Sequence, residues 1–399
     1  SASAASGMRV AGLCTSGGRG AGHLARSRAQ PQRLRGVALA AGALGHREQW
    51  QEDAHATAVL EEGPWREAAQ AHQDRVRRLV GGGDMSSPDP DNPIYNFLFR
   101  YYYWKPQQVA RYSPGWGVAL IGAQRRDLAG SSERDSDRRA VVDSRTGALY
   151  FHPGTCRWKT VEGFAKVLDL LVATEARPPV LNCFGYHEWA MLYQPDPTVP
   201  TQRHQSLPLR VSQETLNQVV EDRTPLRCTH FDAFRFFTAP AQERNHAVLD
   251  RASQRRLEQP GCVHASMDLF KYAMKLSPWV DPSILGECLA LAKRARIMDI
   301  RASPYDASQY SHPGSEDQEP LDLSPIAVET LEGRQAYLAE QEQLWKAAQP
   351  IRRRLVVEYT RVIEEAARVH RRDPPLLCSS SSTAGQFSGG SSGVGRGVA

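Results

Sequence analysis

Residues 258–276 read EQPGCVHASMDLFKYAMKL, and the spacing of their apolar side chains predicts an α-helix. Positions i, i+4, i+7 and i+11 form one apolar stripe, consisting of Val263, Met267, Phe270 and Met274. A neighbouring face of the same helix carries His264, Asp268, Lys271 and Lys275. The pattern indicates a helix that packs against the core and carries ionisable groups close to it.

Helical patterns recur along the chain, whereas one segment, 116–122, reads as a strand. The aromatic segment 94–112 is predicted as a helix or a helix pair broken at Pro106, and Ser212 is a predicted N-cap. Further helices are predicted at 63–80, 161–176, 212–222, 243–259, 282–298 and 333–372, the last kinked or split at Pro350. The predicted fold class is therefore mainly α, a single helical domain with a few short strands.

The basic residues are concentrated at the two ends of the chain. The formal net charge is +5, but the tails at 1–57 and 371–399 hold ten arginines and four acidic residues. The middle, 58–370, therefore has a net charge of −1, which gives little support for a nucleic-acid partner. We expect a mainly helical catalytic-type domain at 58–370, between a disordered 1–57 and a disordered, Ser/Gly-rich 371–399.

The first 46 residues contain no acidic residue and are rich in Arg, Ala, Gly and Ser. This composition is typical of an organelle transit peptide, so we expect import into a plastid (chloroplast), with a mitochondrion as the alternative. An untargeted disordered tail is the other interpretation. Seven widely spaced cysteines without a CxxC pair indicate free thiols rather than a zinc ribbon. No run approaches 18 apolar residues, so no membrane partner is predicted.

Ionisable side chains alternate with aromatic and aliphatic ones between Leu181 and Asp306. Acid, base and metal-ligand groups are costly to bury unless they are paired or used. Seven such groups have apolar neighbours: His187, Glu188, His204, His230, Asp232, His264 and Asp268. Their density predicts a pocket that performs chemistry, but it does not select the reaction.

Two elements of this polar block allow more than one interpretation. As i, i+4 neighbours on a helix, His264 and Asp268 could share a proton, bind one ion or form a solvated face. The segment THFDAFRFF places His230 and Asp232 on one face as a strand, whereas a helix would pair Asp232 with Arg235 at i, i+3. That cluster is consistent with a structural ion pair and with an active site.

Histidines accompanied by carboxylates are compatible with a transition-metal site. The segment FGYHEW lacks the second histidine of the HExxH zinc motif, because position 191 is Met191. Two histidines and one carboxylate could instead hold non-haem iron, although the spacing does not select a metal. The candidate ligands are His187, His204, His230 and His264.

An aromatic cluster precedes the polar block. Tyr101, Tyr102, Tyr103, Trp104 and Trp116 either form a stacking surface for a planar or cationic ligand or pack in the core. The segment 58–370 has no P-loop, GxGxxG or GxSxG motif. These absences argue against nucleotide hydrolysis, Rossmann chemistry and serine hydrolysis.

Six strings carry a resemblance to a known family. They are FLFRYYYWKPQQVARYSPGWGVAL, NCFGYHEWAM, RHQSLPLR, LRCTHFDAFRFFT, EQPGCVHASMDLFKYAMKL and MDIRASPYD. Together they resemble a family of actinobacteria, algae and plants whose members usually carry the automatic name 3-methyladenine DNA glycosylase. The resemblance runs from Trp65 to Ala367. It implies a hydrolase that excises alkylated purines in base excision repair, with DNA as the partner and no cofactor.

The resemblance also implies roles for particular residues. Excision of a cationic methylated purine requires an aromatic pocket for the flipped base and a carboxylate near the sugar. The catalytic candidates are Asp232, Asp268, His230, His264 and Glu188. The substrate-binding candidates are His187, His204, Arg235, Tyr102, Trp104, Trp116, Trp189 and Tyr272.

Two other functions compete with base excision. A metal- or haem-dependent enzyme acting on a small molecule would need two or three of the four histidines within about 4 Å of one point. A non-catalytic binding protein would use the polar block as a buried network and would have no cavity of ligand size.

Overall fold

The amphipathic segments fold into helices that surround residues 258–276 in the computed structural model. The structure describes residues 55–81, 92–128, 139–201, 203, 206–316 and 318–375. The α-helices are α1 (Glu62–Val80), α2 (Pro93–Tyr95), α3 (Pro106–Ala110), α4 (Trp158–Glu175), α5 (Tyr186–Ala190), α6 (Gln213–Asp222), α7 (Phe231–Phe234), α8 (Ala239–Gln242), α9 (Gln254–Leu257), α10 (Val263–Leu276), α11 (Pro282–Ala302) and α12 (Leu331–His370). A π-helix, Asn96–Tyr101, follows α2, and 3-10 turns lie at Arg125–Asp127, Pro153–Thr155 and Ser308–Tyr310.

The fold is mainly α, as predicted, and α10 lies at its centre. α10 packs on α11 and α12, α12 also packs on α4, and α1 packs on α11. The apolar stripe of α10 is buried as expected. Two residues of the polar face beside it are buried too, since His264 is 7% exposed and Asp268 is 2% exposed, whereas Lys275 at the end of that face is exposed. These two residues therefore do not belong to a solvated face.

Several predicted helices form with shifted ends. Ser212 caps α6 by accepting a hydrogen bond from the Thr215 backbone amide, as predicted. The terminal segment is not split at Pro350, because α12 continues through it for 40 residues. The predicted helix at 243–259 is wrong, since only α9 forms there. The Asn245 side chain instead bonds the backbone of Cys228 and donates to the Ala247 carbonyl, and the second, local bond competes with helix formation.

A small sheet packs beside the helices. Its strands are β1 (Ala58–Leu60), β2 (Val118–Leu120), β3 (Ala140–Val142) and β4 (Leu149–Phe151), in the order β1-β2-β4-β3. β1 and β2 are parallel, whereas β4 is antiparallel to both β2 and β3. Only β2 lies in the predicted strand at 116–122. All four strands have only three residues each, which is too short for an alternating pattern to identify the remaining three.

THFDAFRFF contains α7, so its interpretation as a strand is wrong. Several predictions fall on residues that the structure does not describe: the targeting segment up to residue 54, the tail from 376, and His204. The described residues belong to one compact unit. Within them, no helix has the length and apolarity needed to cross a membrane.

A contact between His152 and Glu365 connects the sheet to α12. His152, which follows β4, has its Nε2 3.0 Å from Oε1 of Glu365. Arg368 donates to both oxygens of Glu365, at 2.9 and 2.6 Å. Burial alone would raise the pKa of Glu365, but these partners outweigh it and lower the pKa to about 2.

We expect Glu365 to make folding stability depend on acid pH. Its folded pKa lies below its ordinary value of 4.5, so its contribution is present above pH 4.5 and is lost as the pH falls towards 2. Urea unfolding between pH 6 and pH 2.5 should show a flatter pH dependence for Glu365→Gln than for the wild type. Glu364→Gln, an exposed neighbour, is the control and should follow the wild type. Identical profiles for all three proteins would contradict the assignment.

Candidate functional site

A tight turn carries two polar residues into the core. α5 starts after Phe184 and Gly185, whose φ angles of 50° and 73° are both left-handed. A Cβ at Gly185 would also lie 3.1 Å from the Cβ of Ala302 on α11, so glycine is required there. The close approach of α5 to α11 places His187 and Glu188 in buried positions.

The inner triad consists of His187, His264 and Asp299. All three residues are buried, and one potential ligand atom from each lies within 4.8 Å of the others. Nε2 of His187 and Oδ1 of Asp299 are 2.7 Å apart, while Nδ1 of His187 lies 3.7 Å from Sγ of Cys183. Nδ1 of His264 is buried without a hydrogen-bond partner in the described part of the chain.

A buried arginine neutralises the carboxylates beside the inner triad. Nη1 of Arg296 donates to Asp299 and to Glu188, at 2.8 Å in each case. Its Nε donates to the Pro93 carbonyl, and its guanidinium lies 4.7 Å from the ring centroid of Phe97. The side chain of Arg296 is completely buried. These charges are tolerated only together, because each would otherwise be unpaired in a medium of low dielectric.

The outer triad consists of His230, Glu258 and Asp268, which are also buried and have ligand atoms within 4.8 Å of one another. Nε2 of His230 lies 3.3 Å from Asp268 and 3.6 Å from Glu258. Nζ of Lys271 forms an ion pair with Oδ2 of Asp268. The Tyr102 hydroxyl donates to the other oxygen of Asp268 at 2.8 Å.

Three imidazole rings connect the two triads. The ring of His264 meets that of His187 edge-on, with centroids 4.5 Å apart, and stacks on that of His230 at 5.1 Å. His264 and Asp268, the i, i+4 pair on α10, therefore belong to different triads. They neither share a proton nor converge on one point, because successive turns of α10 face different neighbouring elements.

Burial and pairing leave the inner triad with one neutral and one charged imidazole. Burial lowers the pKa of His264 well below its usual value, and the neighbouring His187 lowers it further. Burial would also lower the pKa of His187, but the charge and hydrogen bond of Asp299 outweigh burial and raise it. The pKa of Asp299, which burial alone would raise, is lowered by His187. His264 is therefore neutral at neutral pH and has a free lone pair.

In the outer triad, the neighbouring cations favour the ionised form of Asp268, and Asp268 favours the protonated form of His230. Burial would raise the pKa of Asp268, yet Lys271 and His230 lower it. Burial would lower the pKa values of His230 and Lys271, but contact with Asp268 raises both. Asp268 is thus a carboxylate held between the imidazole of His230 and the ammonium group of Lys271.

The two triads and the charged residues bonded to them form one network, which reaches the surface next to α7. Asp232 lies 3.7 Å from Nζ of Lys271 and 3.2 Å from Nε of Arg235, which confirms the predicted i, i+3 pair. Arg235 also donates to the Tyr101 hydroxyl at 3.3 Å. The side chains of Asp232 and Arg235 are 22% and 46% exposed, so solvent meets the network at this end.

Two of the predicted substrate-binding aromatics contact the network. Tyr102 and Tyr272 both direct their hydroxyl groups at Asp268, the latter at 3.4 Å. Tyr103, next in the chain, is 90% exposed and has a left-handed φ of 58°. His204, a predicted ligand and substrate-binding residue, lies outside the described residues.

The predicted tryptophans lie elsewhere. Trp189 is fully buried, and its Nε1 donates to the carbonyl of Ala302 at 2.9 Å, so it joins α5 to α11. Trp116 lies edge-on to His152 next to the sheet, with ring centroids 6.3 Å apart. Trp104 is partly buried and packs against the hydrophobic core. These three rings pack with the helices and the sheet, the alternative already considered for Trp104 and Trp116.

Four residues of the network were not singled out as candidates in the sequence: Arg296, Asp299, Glu258 and Lys271. A signal existed for the first two, because they interrupt an otherwise apolar run, RIMDI, at a spacing of i, i+3. Charged residues at that spacing in an apolar stretch indicate a pair that is buried together. Glu258 precedes Pro260 in a short polar stretch and gave no comparable signal.

No family model, curated protein or solved structure that was compared with this chain matches it. The resemblance to glycosylases therefore stays a prediction.

We expect Arg296→Met to destabilise the protein strongly. The substitution leaves Asp299 and Glu188 buried without their cation, a change that costs about 3–5 kcal/mol of unfolding free energy. Arg294→Met, at an exposed position of the same helix, is the matched control and should change stability little. Urea unfolding followed by circular dichroism measures both. If Arg296→Met were as stable as the control, the ion pairs would not be a structural requirement.

Proposed function

We propose that this protein is a transition-metal-dependent enzyme that acts on a small molecule. The ion would be held by His187, His264 and Asp299. The observation that carries the proposal is the convergence of two imidazole nitrogens and one carboxylate oxygen, within 4.8 Å of one another, at buried positions. This donor set is the one that non-haem iron(II) enzymes use, and it leaves coordination positions open for a substrate.

The surroundings of the inner triad support metal binding. Nδ1 of His264 has no hydrogen-bond partner among the described residues, and a buried polar atom without a partner is costly unless something binds it. Cys183 lies next to Nδ1 of His187, which leaves Nε2 on the side of Asp299. Arg296 holds the other oxygen of Asp299. Such outer contacts orient the ligands of metal sites.

A single ion fits this site better than haem. The ring of His264 contacts the rings of His187, His230 and Phe97, so a porphyrin next to it would have to displace them. One ion would displace only the proton between His187 and Asp299. Because the triad is buried, we propose a small-molecule substrate for the reaction at this ion.

Metal titration of the full chain tests this function. After chelation and dialysis, anaerobic Fe(II) or Co(II) should bind at about one ion per chain, measured by plasma mass spectrometry, because three protein ligands are the usual set of an open metal site. Co(II) should also give visible absorption bands. His264→Ala and Asp299→Asn should abolish stoichiometric binding while retaining helical circular dichroism. His246→Ala, at an exposed position, is the control. Wild-type protein without bound metal, or metal retained by both site variants, would contradict the proposal.

Excision of alkylated purines from DNA is a second candidate, and one observation favours it. Asp232 is a partly exposed carboxylate flanked by Lys271 and Arg235, with Tyr101 next to Arg235. A glycosylase needs a carboxylate near the sugar, an aromatic ring for the base and cations for phosphate. The exposed end of the network offers all three, and the sequence resemblance implies the same activity.

A base-release assay tests this second candidate. Metal-free protein incubated with methylated DNA should release 3-methyladenine, measured by chromatography. Asp232→Asn should slow release by about 100-fold, the usual contribution of one acid–base group. Asp222→Asn, at the exposed end of α6, should act like the wild type. No release above the uncatalysed rate would exclude the activity.

A further inference from the structure

The outer triad has the composition of a second metal site. His230 offers an imidazole nitrogen, and Glu258 and Asp268 offer carboxylate oxygens, all within 4.8 Å of one another. A third carboxylate, that of Asp232, lies on the far side of Lys271. Imidazole and carboxylate donors at this spacing suit a divalent transition metal as well as those of the inner triad do.

A protein cation already lies at this position. Nζ of Lys271 contacts Oδ2 of Asp268 and is 3.7 Å from Asp232. The ammonium group also lies over the rings of Tyr102 and Tyr272, 5.8 and 5.0 Å from their centroids. Aromatic faces attract cations, so these rings help to hold the lysine in place. The Lys271 side chain is 16% exposed, which marks it as a group that enters the triad from the solvent side.

An ammonium group and a metal ion exclude each other at this position. Both are cations that need the same Asp268 oxygen, and their repulsion is strong in a buried site where solvent does not screen it. Without Lys271, Glu258 and Asp268 would keep the imidazole of His230 beside them, and Asp232 would keep Arg235. The resulting negative potential would favour a divalent ion.

We propose that the outer triad is a divalent-cation site which the ammonium group of Lys271 occupies, so that the protein binds one metal ion rather than two. The inference rests on the proposed function for the ion at the inner triad. It assigns Lys271 a specific role, which is to restrict metal binding to His187, His264 and Asp299.

Metal stoichiometry of Lys271 variants tests the inference. The full chain is loaded with Mn(II) or Co(II), passed through a desalting column and analysed by plasma mass spectrometry. We expect one ion per wild-type chain and two per chain of Lys271→Met, whose side chain is of similar length but uncharged. Lys271→Arg keeps the charge and is the matched control, with one ion. Two bound Mn(II) ions should also show magnetic coupling in the electron paramagnetic resonance spectrum.

Double variants assign each ion to its triad. His187→Ala combined with Lys271→Met should retain one ion, at the outer triad. His230→Ala combined with Lys271→Met should also retain one ion, at the inner triad. Lys271→Gln serves as a second neutral variant if Lys271→Met does not fold.

The possible results separate this inference from the proposed function. One ion in both the wild type and the neutral variants overturns the inference and leaves the inner site intact. Two ions in the wild type also overturn it, because Lys271 would then exclude nothing. No ion in the wild type but one in Lys271→Met supports the role of Lys271 and overturns the inner site. No ion in any variant overturns both.

Discussion

The buried guanidinium of Arg296 is the interaction on which the rest of the site depends. Its charge has to be met inside the core, and the two carboxylates that meet it come from α5 and α11. Arg296 holds one oxygen of Asp299, and the other oxygen faces His187. The contact between α5 and α11, the orientation of His187 and the position of the inner triad therefore follow from one buried charge.

The imidazole of His264 has a different character from its two neighbours. It lies between His187 and His230, whose pKa values are raised by the negative charge of a carboxylate partner. Burial and its positive neighbours keep His264 neutral, so it offers a nitrogen lone pair without first losing a proton. Of the three imidazole rings, that of His264 is therefore ready to bind a metal ion, whereas those of His187 and His230 are held by their carboxylate partners.

The metal-enzyme proposal and the base-excision proposal draw on opposite ends of one network. The inner triad is enclosed by α5, α10 and α11, whereas Asp232 and Arg235 reach solvent next to α7. Lys271 lies between these ends, bonded to Asp268 and close to Asp232. The two proposed reactions therefore differ in how deeply their residues are buried. An ion at the buried inner triad suits a small substrate, whereas the partly exposed Asp232 suits a polymer that approaches from the surface.

The mainly helical class, the apolar stripe of α10 and the cap of α6 follow from the sequence alone, because they depend on residues within a few positions of one another. The Asp232–Arg235 pair was one of two interpretations until the structure showed that its segment contains a helix. The tertiary structure brings Asp299 to His187, 112 positions away in the chain, to complete the inner triad. It also places His264 and Asp268 in different triads and brings Lys271 to the outer triad. Periodicity shows which face of a helix is polar, but the partners of that face come from elements that are distant in the chain.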